Sequence, residues 1–367
     1  MKDISNLFFS VNKDETIDTI VDMGIDLTMD SMDVAKFSTN EYSKKNQETK
    51  NTILNYCADH VGLRRPESKK DLVMLFSNSS FESLFNSIVS EIQSGVMVRS
   101  ESKQLLAMCN IVGVDCGDSH TWELDTKGLP VVQRASLTTN LSLVDGYSMQ
   151  GITITPIPYA CSSSIDYIRI LANDFDFGKE MARVTKAILY AQYKLVASTI
   201  FSTTGAIAST PFYQATFASN KYVKMAEALG ALNGGSGVTS YGSITAFNAI
   251  SALATQGGFT TRDRYIENGY LQKIHGVDSV IMENATDLSA PLAAAIADVN
   301  LLIPSDLLVM LSAVGDKPAK LVRENYVRVQ NADQNSTSLN RIVYKYFNAF
   351  NVGLCTQAHF GVQKTAA

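Results

Sequence analysis

Histidine and tryptophan are scarce in this chain of 367 residues, with four of the first and one of the second. The histidines, His60, His120, His275 and His359, are scattered, and no His-Glu-x-x-His segment occurs. No Gly-x-Ser-x-Gly elbow and no paired-carboxylate motif is present either, so catalysis has no visible foothold. The glycine run at 230–242 lacks the Gly-Lys-Ser/Thr that cradles phosphates and reads as a loop between helices. The one metal-like grouping, Cys109, Cys116, Asp118 and His120, lacks the two close ligand pairs of zinc sites. No catalytic, cofactor-binding or metal residue is assigned.

Other shortages narrow the class further. The five cysteines (Cys57, Cys109, Cys116, Cys161 and Cys355) are odd in number and dispersed, which argues against a disulfide framework. The start, Met1-Lys2-Asp3-Ile4, turns acidic rather than apolar, so no secretory signal is expected and a reducing cytoplasm fits. The most apolar long stretch, Leu288 to Gly315, is broken by Asp298, Asn300, Pro304 and Asp306, which rejects a membrane span. Only 18% of residues are charged, with 31 basic against 36 acidic, and no basic stripe marks a dedicated nucleic-acid binder. What is abundant is core material. The chain is 46% hydrophobic with 15 Tyr and 16 Phe, which excludes low-complexity disorder. Its length suits two or three domains, or one fold with large insertions.

Periodicity then orders the chain. Residues 1–33 carry Asp3, Asp14, Glu15, Asp18, Asp22, Asp26, Asp30 and Asp33 against Lys2 and Lys13. Ile17, Ile20, Val21 and Ile25 fall on one helical face. Residues 44–50 read as a loop or a solvated helix start. Ser77-Asn78-Ser79-Ser80 offers N-caps for a helix with Phe81, Leu84, Phe85, Ile88, Val89 and Ile92 on its apolar side. Two readings of residues 1–115 stand: a solvated helical subdomain, or an arm that ties subunits together.

Near Gly117 the period changes. Ala135, Leu137, Thr139, Leu141 and Leu143 alternate with polar residues, Asp145-Gly146 supplies a turn, and Gly151 to Pro156 reads as the return strand. Such a ribbon is marginal alone, so it is expected to lie on something else, a neighbouring subunit being the natural candidate. Asp174 or Asp176 can cap the next element, a helix running to about Ser202 with Met181, Val184, Ile188, Ala191 and Leu195 in one stripe. Helices follow at Lys221–Asn233 and after Ser243, the latter with Ile244, Phe247, Ile250 and Leu253 on one face. His275-Gly276-Val277 reads as a turn feeding a buried strand at 280–282. Leu307–Leu311, Ile342–Phe347 and Val352–Phe360 read as further strands.

This order of elements resembles the major capsid protein of tailed bacteriophages, with the Hong-Kong-97-like shell fold. Residues 134–157 look like the extended loop of that family, and Asp176 to about Ser202 like its spine helix. Residues 221–320 look like the axial domain, with Gly269–Val277 as its helix-to-strand passage. Ile342 to Val362 looks like the closing strands. The resemblance covers roughly 116–362 and implies an α+β fold. It divides the chain into a helical N-terminal arm or subdomain (1–115), an extended β-hairpin loop region (116–160), a peripheral domain with the spine helix (161–220), an axial domain (221–320) and closing strands (321–367). The assembly hairpin would use Leu137, Leu141, Asp145, Gly146, Ile152 and Ile154. The spine-helix core would be Met181, Val184, Ile188 and Leu195. Between Ser136 and Ile157 there is no lysine, so the lysine-to-asparagine crosslink of some relatives has no nucleophile there.

The function implied is an icosahedral shell of hexamers and pentamers around the double-stranded DNA of a tailed phage. The implied partners are further copies of the chain, scaffolding, portal and decoration proteins, and DNA held without sequence specificity. No cofactor and no membrane enter. The location implied is the virion capsid, assembled in the host bacterial cytoplasm. Residues 1–115 are expected to be retained in the particle, with the acidic start facing basic groups of neighbouring subunits or the outer surface. Two other readings remain open from the residues: an encapsulin-type compartment enclosing protein cargo, and an α/β enzyme with a helical N-terminal domain. The long segment before Gly117 weighs against the first, the scattered histidines against the second.

Overall fold

The computed structural model describes residues 15–33, 40–100, 108–125, 149–166, 169, 175–202, 207, 208, 210–254, 272–282, 284, 301, 303–312, 317–331, 341–355 and 360–365. Four helices open it: α1 (Glu15–Met32), α2 (Asn40–Val61), α3 (Lys69–Phe76) and α4 (Ser79–Arg99). The acidic helix α1 buries Ile20, Ile25 and Leu27. It crosses α4 through a reciprocal pair of glycines, because a Cβ on Gly24 would run into Ile92 and one on Gly95 into Ile25. Each glycine removes the side chain that would hold the two backbones apart. Asn78 caps α4, its Oδ1 accepting from the backbone N–H of Ser80 and Phe81. Residues 44–50 lie inside α2 rather than in a loop, and Thr49 and Lys50 are buried. The polar run misled because its apolar neighbours come only later, at Ile53, Leu54 and Cys57.

The next long helix, α5 (Phe177–Ser202), has 26 residues, about 39 Å at ~1.5 Å per residue. Asp176 caps it, accepting from Lys179 N at 2.9 Å. Helix α2 also reaches this terminus: Asn46 Oδ1 accepts from Phe177 N at 3.0 Å, and Tyr42 OH donates to Asp176 at 2.6 Å. Orphan N–H groups at the start of α5 are thereby satisfied from another helix. Met181, Val184 and Ile188 are buried and Leu195 is partly buried.

The first sheet has strand order β1 (Cys109–Val114), β10 (Ala319–Glu324), β12 (Arg341–Leu354) and β11 (Arg328–Asn331), with β4 (Ile157–Asp166) on the far side of β12. Strand β1 runs parallel to β10, and the other pairs are antiparallel. The two expected strands 342–347 and 352–360 are a correction. Residues 341–354 form one strand, and the last, β13, is Gly361–Lys364. Asn348, in the gap left between the two expected strands, sits inside β12. Its Nδ2 donates to the carbonyls of Glu324 and Tyr326, spanning the gap where β10 ends and β11 begins.

The first sheet and α1–α5 share one large core. Phe76, Phe81 and Phe85 pack edge-on and stacked, and Phe85 reaches Tyr344 of β12 at 6.0 Å between ring centres. A buried polar seam runs through it. Gln93 donates to Met181 O at 3.1 Å, Thr185 donates to Gln93 Oε1 at 2.7 Å, and Gln192 donates to Asn348 Oδ1 at 3.3 Å. Along α4, Ser94 and Ser90 accept from the backbone N–H of Val327 and Val329 at 2.9 and 3.1 Å. The outer edge of β11 is thus closed by helix hydroxyls. The described N-terminal helices belong to this core, which makes them more than a solvated subdomain.

The second sheet has order β5 (Tyr213–Gln214), β13, β9 (Leu307–Ser312), β6 (Val238–Gly242), β8 (Val277–Ile281) and β7 (Lys273–Ile274). Helices α6 (Ser219–Leu232) and α7 (Ile244–Ala254) accompany it. Strand β9 is buried throughout and divides two cores. Leu307, Val309 and Leu311 enter the large core, whereas Leu308 and Met310 enter a smaller one with Tyr222, Leu229, Phe247 and Ile250. Ser243 caps α7. Within the apolar face expected of α7, Phe247 and Ile250 are buried, but Ile244 is 52% exposed and Ala246 takes its place. His275 and Gly276, both at positive φ, make the turn between β7 and β8. Strand β8 is half-buried rather than buried, since Val277 and Ser279 point inward and Asp278 and Val280 outward.

Candidate functional site

The strand expected at Gly151–Pro156 is present as β3 (Met149–Ile154). It pairs with β2 (His120–Asp125), a strand the sequence did not announce, with Ile154 opposite His120 and Ile152 opposite Trp122. Residues 126–148 lie outside the described residues, and with them Leu137, Leu141, Asp145 and Gly146 of the expected hairpin.

Ile152 and Ile154 are described, and they root the ribbon. They rest on the outer face of the first sheet at Gly353 of β12, where an added Cβ would meet Ile154, and Ile152 packs on Cys355. On the facing strand, Trp122 lies over the Lys320 ammonium at 4.7 Å, a cation–π contact on a buried lysine. Gly117 N donates to Glu324 at 3.0 Å and holds the turn before β2. The other face of the ribbon is polar and exposed, with Thr121 and Thr153 hydroxyls 2.9 Å apart. Among the described residues, β2 and β3 pair only with each other.

Past the ribbon the chain enters β4, whose flank meets α5. Ser163 donates to Glu180, and Arg183 bonds the same carboxylate at 2.8 Å. Burial pushes the Cys161 thiol up, opposed by the Arg183 charge, and drives the Tyr346 phenol above its ordinary range. These shifts favour neutral, inert groups rather than an activated nucleophile.

The metal-like grouping is dispersed. Cys109 is buried in β1, Cys116 is exposed and within 3.3 Å of Arg328, and His120 stacks edge-on against Trp122. Among the described residues, no group of three or more His, Cys, Asp or Glu is placed to hold a metal. No described helix is long and apolar enough to cross a membrane. An open groove of about 620 Å³ beside α4 is lined by His60 and by serines 79, 80, 83 and 87, without convergent charge. The acidic face of α1 is met within the chain, by Lys45 at Asp30 (2.6 Å) and by Arg99 at Asp22 (3.4 Å) and Asp26 (3.5 Å). Sequence reasoning missed these pairs and the serine ladder, although serines 83, 87, 90 and 94 repeat at helical spacing.

No family model matches the sequence, and no curated protein matches it. Solved structures similar to the chain include the capsid of an empty GTA particle, at 14% identity and TM-score 0.48 over 72% of this chain and 89% of that one. The capsid of the cyanophage P-SCSP1u is similar at 13% identity and TM-score 0.44 over 73% and 89%. A virus-like particle from Pyrococcus furiosus is similar at 8% identity and TM-score 0.44 over 76% and 99%. These likenesses are distant and assign no function to the chain.

Proposed function

We propose that this chain is the subunit of a closed protein shell: a major capsid protein of the Hong-Kong-97-like fold. It would assemble as hexamers and pentamers around the double-stranded DNA of a tailed phage. The observation that carries the reading is the ribbon–helix–sheet arrangement. A two-stranded ribbon is rooted on the sheet by one apolar edge, and its exposed face has no partner strand among the described residues. It is followed by a 26-residue helix fixed rigidly along the large core. A stiff rod beside a ribbon seated on the sheet by one face suits a subunit that meets chemically identical neighbours in slightly different settings. On this reading the role is structural rather than enzymatic. Scaffolding, portal and decoration proteins would be partners, and the location would be the virion. The modest net charge of −5 fits an inner wall that contains DNA without gripping it.

Electron microscopy and light scattering of the purified full chain, alone and with co-expressed assembly partners, test the reading. Hollow shells or capsomers are expected. A monodisperse single subunit under every condition overturns it.

A further inference from the structure

The ladder directions in the first sheet identify a second surface, on β4. The N–H groups of Val327 and Val329 point away from β12 to the serines of α4. In an antiparallel ladder successive residues alternate in direction, so Arg328 and Gln330 face Phe347 and Lys345 of β12. Farther along, Cys355 N donates to Pro318 O, so odd-numbered residues of β12 face β10 as well. Even-numbered residues of β12 must therefore face β4. In the observed register, Tyr344 meets Ser163, Tyr346 meets Cys161 and Asn348 meets Tyr159. It follows that the N–H and C=O groups of Ala160, Ser162 and Ser164 point outward from the sheet. Pro158 supports the same parity, because its missing N–H then falls on the outer side and costs no ladder bond.

This edge is open. Ala160, Ser162 and Ser164 are exposed, β4 pairs with β12 alone among the described residues, and Ile157 and Tyr159 at its start are 51% and 40% exposed. From Ile157 to Ile165 no residue is charged, and the outward side chains after the proline are a methyl and two hydroxymethyls. Folded proteins ordinarily protect such an edge with lysines, bulges or a covering element. Across β12, the outer edge of β11 has that cover, in the serines of α4. We propose that the β4 edge is an isologous docking surface, which pairs antiparallel with β4 of a second copy of this chain and continues the sheet across a two-fold axis. An uncharged edge laid against its own copy meets no like-charge repulsion, and the outward N–H and C=O groups of Ala160, Ser162 and Ser164 repeat at the spacing that a second antiparallel strand about 4.8 Å away needs. The inference rests on the shell reading for its supply of copies.

Residue-resolved hydrogen exchange on the full chain, before and after assembly, tests it together with Ser162→Lys and Ser162→Pro. Neither variant touches a β12 bond, and the lysine form places no demand on backbone angles. Amides of Ala160, Ser162 and Ser164 are expected to slow at least tenfold on assembly. Ser162→Pro should keep the melting point of the free subunit, Ser162→Lys, which lies opposite Lys345, should lower it only slightly, and both should lower the assembled fraction at least tenfold. Shells that form normally from Ser162→Lys, with those three amides still exchanging freely, overturn the inference and leave the shell reading standing. A wild-type chain that stops at a discrete dimer, abolished by Ser162→Lys, supports the pairing and removes the shell reading. A wild-type chain that never associates overturns both.

Discussion

The N-terminal helices and the β2–β3 ribbon carry the same kind of signal in the sequence: apolar residues in a regular pattern that require a surface to cover them. The structure answers them differently. Helices α1–α4 find their surface within the chain, on α5 and the inner face of the first sheet. Among the described residues the ribbon finds a smaller foothold, Ile152 and Ile154 at Gly353 and Cys355 and Trp122 over Lys320, while its other face stays polar and exposed. An unmet apolar stripe is therefore weak support for an intermolecular contact when the same chain offers a complementary face. A pattern with one thin apolar edge and one hydroxyl-rich face is the better indicator.

The comparison can be broken most severely inside the core. Ile188→Asp puts a charge into the stripe by which α5 packs, where an unpaired charge costs several kcal/mol. Folded protein should be lost, and normal solubility and melting would show that α5 does not bury this face. Phe81→Ala should cost about 3–5 kcal/mol, read as a lowered denaturation midpoint. At the α1–α4 crossing, Gly24→Ala or Gly95→Ala should each cost about 1–3 kcal/mol by overpacking. If both melt like wild type, the helices do not approach so closely and the N-terminal layer is looser than described. Ser90→Ala leaves the Val329 N–H without its acceptor and should cost about 1–3 kcal/mol, with faster amide exchange at Val329. Changes at the ribbon sharpen the contrast from the other side. Trp122→Ala should barely alter the melting of the free subunit yet reduce the yield of assembled particles. An effect on melting as large as that of Phe81→Ala would make the ribbon part of the core. Smallest of all should be Arg99→Ala, since its partners Asp22 and Asp26 are exposed and such pairs contribute below ~1 kcal/mol.

Elements with a strong local period were legible from residues alone: α4 from its Asn78 cap and phenylalanines, α5 from its stripe and Asp176, and β9 from its unbroken aliphatic run. What escaped depends on contacts distant in sequence. Strand β1 pairs in parallel with β10, some two hundred residues later, and nothing in Cys109–Val114 announces that partner. Strand β3 was visible but not its ladder to β2, since nothing in His120–Asp125 announces that partner. The single strand through Asn348 was missed because its buried bonds to Glu324 and Tyr326 exist only once β10 and β11 flank it. Of the expected site residues, those of α5 and the pair Ile152 and Ile154 have described surroundings.

Strand β9 has a consequence for how the molecule comes apart. Its odd residues close the large core and its even residues close the small one, so neither can be opened without exposing the back of the other. The two sheets therefore do not amount to two independently melting units: a single cooperative transition follows, and calorimetric and van't Hoff enthalpies should agree. Amides of Val309 and Met310 should be among the last to exchange, released only by global unfolding. A load borne by one half of the subunit would pass to the other through this shared wall.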